Sequence, residues 1–300
     1  MTELDYLTMD VFTTRPFGGN QLAIIPDARG LDGETMQSIT AEFNYSETTF
    51  ILPPPEGSDC IAEVRIFTPT NEIPFAGHPN VGTAWAVAEA GELFGKAAGD
   101  SFAFHEKAGR VDCNIRREGG RITSASIKAP QPLSTGKEIE VATVAAAASL
   151  PESAIALAHH RPIQASVGLF FAFAELESLD ALGDAKPSTS AFAEADPKYR
   201  VDEDHFCLFL YTRVDDDPRR LRARMFAPLN NIPEDPATGS ASAALAAYLA
   251  QLEGANEADF VIDQGVEMGR PSRLELSVRG ADVRVGGPCV PVMRGKLALS

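Results

Sequence analysis

The chain has 300 residues, 44% of them hydrophobic and 23% charged, which suits one large globular domain or two of moderate size. A formal net charge of −16 argues against a nucleic-acid partner and leaves any anionic substrate to be held by local donors. Acidic residues near the start and the lack of an apolar run of roughly 18 residues give the expectation of a cytoplasmic protein with no membrane partner.

In chain order, β-branched, aromatic and alternating stretches predict strands over 5–14, 21–27, 46–54 and 62–68. A helix is predicted over 80–89, followed by strands over 109–120 and 121–129. Pro, Ser, Thr and Gly accumulate over 129–138, where a hinge is expected. Further strands are read over 165–176 and 205–213, a helix over 238–252, and strands over 273–280 and 281–287. Both helices are small or apolar nearly all round, the mark of a buried axis rather than a surface element. Cys60, Cys113, Cys207 and Cys289 are scattered without a CxxC pair, so neither a metal nor a disulfide framework is expected.

The chain repeats itself once. RIFTPTNEIP at 65–74 aligns without gaps on RMFAPLNNIP at 224–233, sharing Arg, Phe, Pro, Asn, Ile and Pro. Beyond it, Pro79, Gly82, Ala84 and Ala86 mirror Pro236, Gly239, Ala241 and Ala243. Two similar lobes are expected, 1–128 and 129–284, with 285–300 free to return to the first. Each is expected to be a curved antiparallel sheet around one helix, an α+β fold.

A helix start presents unpaired N–H groups and the positive end of the dipole, so it can hold a carboxylate without Arg or Lys. Two such starts are expected to face one another across a cleft, with Gly77 and Gly239 letting a ligand approach the main chain. His78 and Asp235 fall at the same step of the repeat, each directly before Pro. The dipole opposes an imidazolium, so His78 is expected to be neutral. For Asp235 an N-cap and catalytic positioning are both open.

The segments NYSETTFI at 44–51, RIFTPTNEIPFAGHPNVGTA at 65–84 and EDPATGSASAAL at 234–245 closely resemble signature segments of the PhzF-like (phenazine biosynthesis-like) family. DVFTTRPFGGNQLAII at 10–25 and QGVEMGRPS at 264–272 extend the resemblance over nearly the whole chain. It implies a diaminopimelate-epimerase-like fold and proton shuttling without metal or coenzyme. By the same resemblance Glu47 is the acid/base residue, His78, Asp235 and Ser240 line the site, and Gly77 and Gly239 offer backbone donors. Asn20 and Ser46 are neighbouring contacts. One departure is Gln21, which stands where relatives commonly carry Pro.

The expected function is a cofactor-independent isomerase that moves a proton in a small carboxylate-bearing metabolite, with no partner beyond that substrate and a second copy in a homodimer. The alternatives are a racemase or epimerase of the same fold and a non-catalytic small-acid-binding protein. Paired thiols are disfavoured because none of the cysteines lies in either helix-start motif.

Overall fold

The computed structural model describes residues 2–202, 204–214 and 217–299. The chain divides into two compact units, Met1–Pro130 with Gly286–Ser300, and Gln131–Val285.

In the first unit, the strands Thr2–Val11, Asn20–Ile25, Glu47–Leu52, Ala62–Phe67, Ser101–Glu106, Gly109–Glu118 and Arg121–Lys128 are neighbours in that order. Cys289–Leu299 pairs on the other side of Thr2–Val11. The first five pairings run antiparallel, parallel, antiparallel, parallel, antiparallel. Parallel neighbours need a crossover, and helices supply it here. Gly33–Phe43 joins the first parallel pair and Gly77–Ala90 the second.

The second unit has the same grammar. From Ile163–Ser166 through Phe170–Glu175, Leu208–Val214, Asp217–Ala227 and Glu257–Gln264 to Ser272–Arg279, the pairings again run antiparallel, parallel, antiparallel, parallel, antiparallel. Leu179–Asp184 and Thr189–Tyr199 fill the first crossover and Gly239–Leu252 the second. Each unit therefore contains two parallel pairs, where antiparallel strands were expected.

Gly77–Ala90 touches the strands of its own unit on several sides and is buried along most of its length. Its small side chains allow this: a Cβ on Gly82 would lie 2.6 Å from Leu22 and 2.8 Å from Val11. Gly239–Leu252 is buried continuously from Ala241 to Ala250. The all-apolar reading of both helices thus matches their burial.

The repeated decapeptide has a common structural role. Arg65 grips Glu72 with two bonds of 2.8 Å, and Arg224 grips Glu234 with two of 2.8 Å. Each guanidinium also lies over the ring two residues on, 5.1 Å from Phe67 and 4.9 Å from Phe226. The fork braces the chain just ahead of each buried helix.

Several boundaries depart from the sequence reading. The first helix begins at Gly77 rather than at residue 80, because Pro is tolerated in a first turn where its missing N–H has no helical partner. The expected strand 165–176 is split: Gly168 turns the chain, its N–H held by Ser166 Oγ at 2.9 Å. Ser134–Glu138, read as hinge, is a strand paired with Ile163–Ser166. Among the described residues no helix is long and apolar enough to cross a membrane.

Candidate active site

Four of the expected site residues meet in the first unit. Gly19, with φ of 63°, turns the chain into the strand Asn20–Ile25, and a Cβ there would sit 2.3 Å from the Val11 carbonyl oxygen. That turn delivers Asn20 into the interior, where it is 1% exposed. Glu47 opens its strand opposite Leu22. Two residues on, Thr49 Oγ1 meets Thr83 Oγ1 of the buried helix at 2.9 Å, both fully buried, so the strand of Glu47 is fixed to the helix of His78.

The side chains form a directed chain of hydrogen bonds. Ser46 Oγ donates to Asn20 Oδ1 at 3.2 Å, which turns the Asn20 amide so that Nδ2 donates to His78 Nδ1 at 3.3 Å. His78 therefore carries its proton on Nε2, which lies 3.3 Å from the Gln21 carbonyl oxygen and 3.3 Å from Glu47 Oε2. Burial pushes the imidazole down to about 3, against the pull of the Gln21 carbonyl. His78 is neutral, as expected, but burial rather than the helix dipole is the main cause. Its contact with Glu47 is an N–H beside a carboxylate, not an ion pair.

Gln21 needs no proline to play its part, since it contributes its carbonyl and stays in register with Asp10. Gly77 is the first residue of its helix, after Ala76. Its N–H is one of the donors that a helix start leaves without a helical acceptor.

The second unit gathers Asp235, Gly239 and Ser240 differently. Asp235 ends the strand Ile232–Asp235 and does not cap the helix; Thr238 occupies the cap position. The Thr238 hydroxyl donates to Asp235 Oδ2 at 2.5 Å, and Thr238 N–H donates to Gln264 Oε1 at 3.0 Å. Gln264 Nε2 in turn donates to the Asp235 carbonyl at 2.7 Å. Gln264, fully buried, is a residue the sequence reading passed over, although it opens the QGVEMGRPS segment. Gly265 beside it has φ of 73°, and a Cβ would lie 2.5 Å from the Pro236 carbonyl oxygen. Gly239 is the first residue of its helix and Ser240, half-buried, the second. Gly77 and Gly239 thus hold the same place in their helices, although the repeat pairs Gly239 with Gly82.

All four cysteines are buried thiols. Burial pushes Cys207 up to about 12 and Cys289 higher still, so neither is poised to act as a thiolate base.

The profile of the phenazine biosynthesis-like protein family matches residues 9–295. The chain belongs to that family. A PhzF-type relative, the trans-2,3-dihydro-3-hydroxyanthranilate isomerase of Pseudomonas aeruginosa, is 35% identical over 93% of this chain and 92% of its own. An uncharacterized isomerase of Mesorhizobium japonicum is 38% identical over 99% of both chains. The crystal structure of a Bacillus anthracis PhzF-family protein superposes with a TM-score of 0.86 over the full length of both chains; at 24% identity it shows the shared fold. The protein is accordingly a PhzF-like isomerase, and the network of Ser46, Asn20, His78 and Glu47 belongs to an enzyme.

Proposed function

We propose that this PhzF-like protein isomerises a small, conjugated, carboxylate-bearing metabolite by single-residue proton transfer at Glu47, without metal or coenzyme. The observation that carries the reading is the Glu47 carboxylate 3.3 Å from a neutral His78 whose tautomer is set by Asn20 and Ser46. A neutral imidazole does not compete for the migrating proton. Its one N–H is held by the Gln21 carbonyl, so Glu47 is the group in this network fitted to accept and return a proton.

The substrate carboxylate is held by the N–H of Gly77 and the dipole of its helix, which spreads the negative charge that develops when the adjacent carbon loses its proton. Glu47 takes that proton and returns it further along the conjugated system. One C–H bond breaks, another forms and the double bond shifts between them, with no net redox change. On the same reading Asp235, Gly239 and Ser240 serve substrate binding, and Asp235→Asn lowers kcat/KM while leaving Thr238 an acceptor.

The name of the Pseudomonas aeruginosa relative makes trans-2,3-dihydro-3-hydroxyanthranilate the first substrate to try. Glu47→Gln keeps the shape and removes the base, so turnover of that compound is expected to fall about 10²-fold to 10⁴-fold. Turnover undiminished by the change would overturn the assignment. An epimerase working through two thiols is disfavoured by the raised Cys207 and Cys289.

A further inference from the structure

Behind the first helix start lies a carboxyl group that the proposed reaction does not use. Glu106 ends the strand Ser101–Glu106, is 3% exposed, and lies against Asn80 in the first turns of Gly77–Ala90. The Asn80 side chain is near enough to Glu106 to favour its charged form, but no contact of either Glu106 oxygen or of Asn80 Oδ1 has the geometry of a hydrogen bond among the described residues, and Asn80 Nδ2 is held by the Ala76 carbonyl. An ionised Glu106 would leave three buried acceptor atoms without a well-placed donor, which burial penalises, most of all for the charge. A proton on Glu106 is the donor this cluster lacks.

Asn80 has a second task. Its Nδ2 donates to the Ala76 carbonyl at 3.0 Å. In a planar trans peptide the carbonyl of one residue and the N–H of the next point in opposite directions. Holding the Ala76 oxygen therefore aims the Gly77 N–H.

We propose that Glu106 is a positioning residue, a neutral carboxylic acid whose O–H donates to Asn80 Oδ1 and, through Asn80, aims the Gly77 N–H at the substrate carboxylate. The inference rests on the reading of Gly77 as a carboxylate donor. Burial pushes Glu106 up to about 8, with Asn80 pulling the other way, so the device holds at neutral pH and loosens in mild alkali.

The charged groups on the surrounding elements are engaged elsewhere or play no part in that shift. On its own hairpin Lys107 reaches Glu72 at 2.6 Å, and Arg110 reaches Asp59 and Asp112, each at 2.7 Å. On the neighbouring strand Arg65 grips Glu72, and on the helix His78 is neutral. Neither these nor Glu63 and His105 contribute; burial and Asn80 are the causes.

The test uses full-length protein and anthranilate, a carboxylate with no proton to move. In wild type its dissociation constant is expected to rise about tenfold between pH 7 and roughly pH 9.5. Glu106→Gln, which supplies an N–H in place of the O–H, is expected to bind as wild type does at pH 7 and to change less than about twofold over the same range; Glu106→Ala is expected to be about tenfold weaker already at pH 7. Infrared difference spectra between wild type and Glu106→Gln are expected to show a protonated carboxylic acid at pH 7 that fades through pH 8. A wild type that binds anthranilate without pH dependence, a Glu106→Gln variant that loses affinity in parallel with wild type, or the absence of the acid band would overturn the proposal while leaving Glu47 untouched. Failure of wild type to bind anthranilate at any pH would remove Gly77 as the carboxylate donor, and the role of Glu106 with it.

Discussion

The two buried-helix starts share a scaffold and differ in what they can do. Each is preceded by an Arg–Glu fork stacked on a Phe, and each opens on a buried glycine. At the first start Ser46, Asn20 and His78 form a line of hydrogen bonds that ends on the Gln21 carbonyl, with Glu47, 14% exposed, 3.3 Å from the neutral histidine. At the second start Asp235, Thr238 and Gln264 bond one another, a closed arrangement suited to holding a backbone in place. The frame is common to both starts, while the side chains at the helix mouth differ: Asn20, His78 and Glu47 gather at one, and Asp235, Thr238 and Gln264 bond one another at the other.

The largest stability effect that tests this comparison comes from the shared fork. Arg224 is 7% exposed and also donates to the carbonyls of Leu182 and Ala185, so Arg224→Ala strands a half-buried Glu234 and frees those carbonyls. A loss of about 3–5 kcal/mol in urea unfolding is expected. Arg65→Ala, at a more exposed pair, is expected to cost about 1 kcal/mol, and equal costs would contradict the burial argument. Next is Gln264→Leu, which leaves the Thr238 N–H without its acceptor; urea unfolding should show about 1–3 kcal/mol lost.

Smaller effects follow from pH. Native His78 resists protonation down to about 3 while the unfolded side chain titrates near 6.5. The unfolded state therefore binds more protons between these values, and stability drops as pH falls through that window. Glu106 has the opposite sign: it keeps its proton up to about 8 in the native state, against 4.5 as the unperturbed value, so stability drops as pH rises between them. Thermal unfolding of Glu106→Gln should flatten the Glu106-linked fall between about 4.5 and 8 and spare the loss at lower pH. A variant whose profile between those values matches wild type would show that Glu106 is ionised in the native fold.

Much of the frame was legible in the sequence because the repeat is enforced by packing. Arg and Phe recur at fixed spacing since each guanidinium lies over the ring two residues on, although its glutamate partner falls at Glu72 within one copy and at Glu234 just beyond the other. The Ala-rich helices were legible for the same reason, small side chains being what a surrounded helix requires. Pro79 hid the first turn, since proline before an apolar run reads as a boundary. The helix Gly33–Phe43 went unread although Asp32 caps it through the Thr35 N–H at 2.8 Å. Glu106 escaped because a lone Glu at a strand end reads as solvated, and only its burial beside Asn80 reveals it. Glu47 could be named only by resemblance; its neighbours Asn20 and His78 lie 27 and 31 positions away in the chain, and periodicity does not report such a meeting.

The most direct measurement is the reaction of trans-2,3-dihydro-3-hydroxyanthranilate in D₂O, with wild type and Glu47→Gln compared by NMR at each ring carbon. Proton transfer through one exchangeable carboxyl predicts deuterium at the carbon that gains the proton in wild-type product, and a rate about 10²-fold to 10⁴-fold lower in the variant. Equal rates and equal labelling in the two proteins would mean that another group carries the proton.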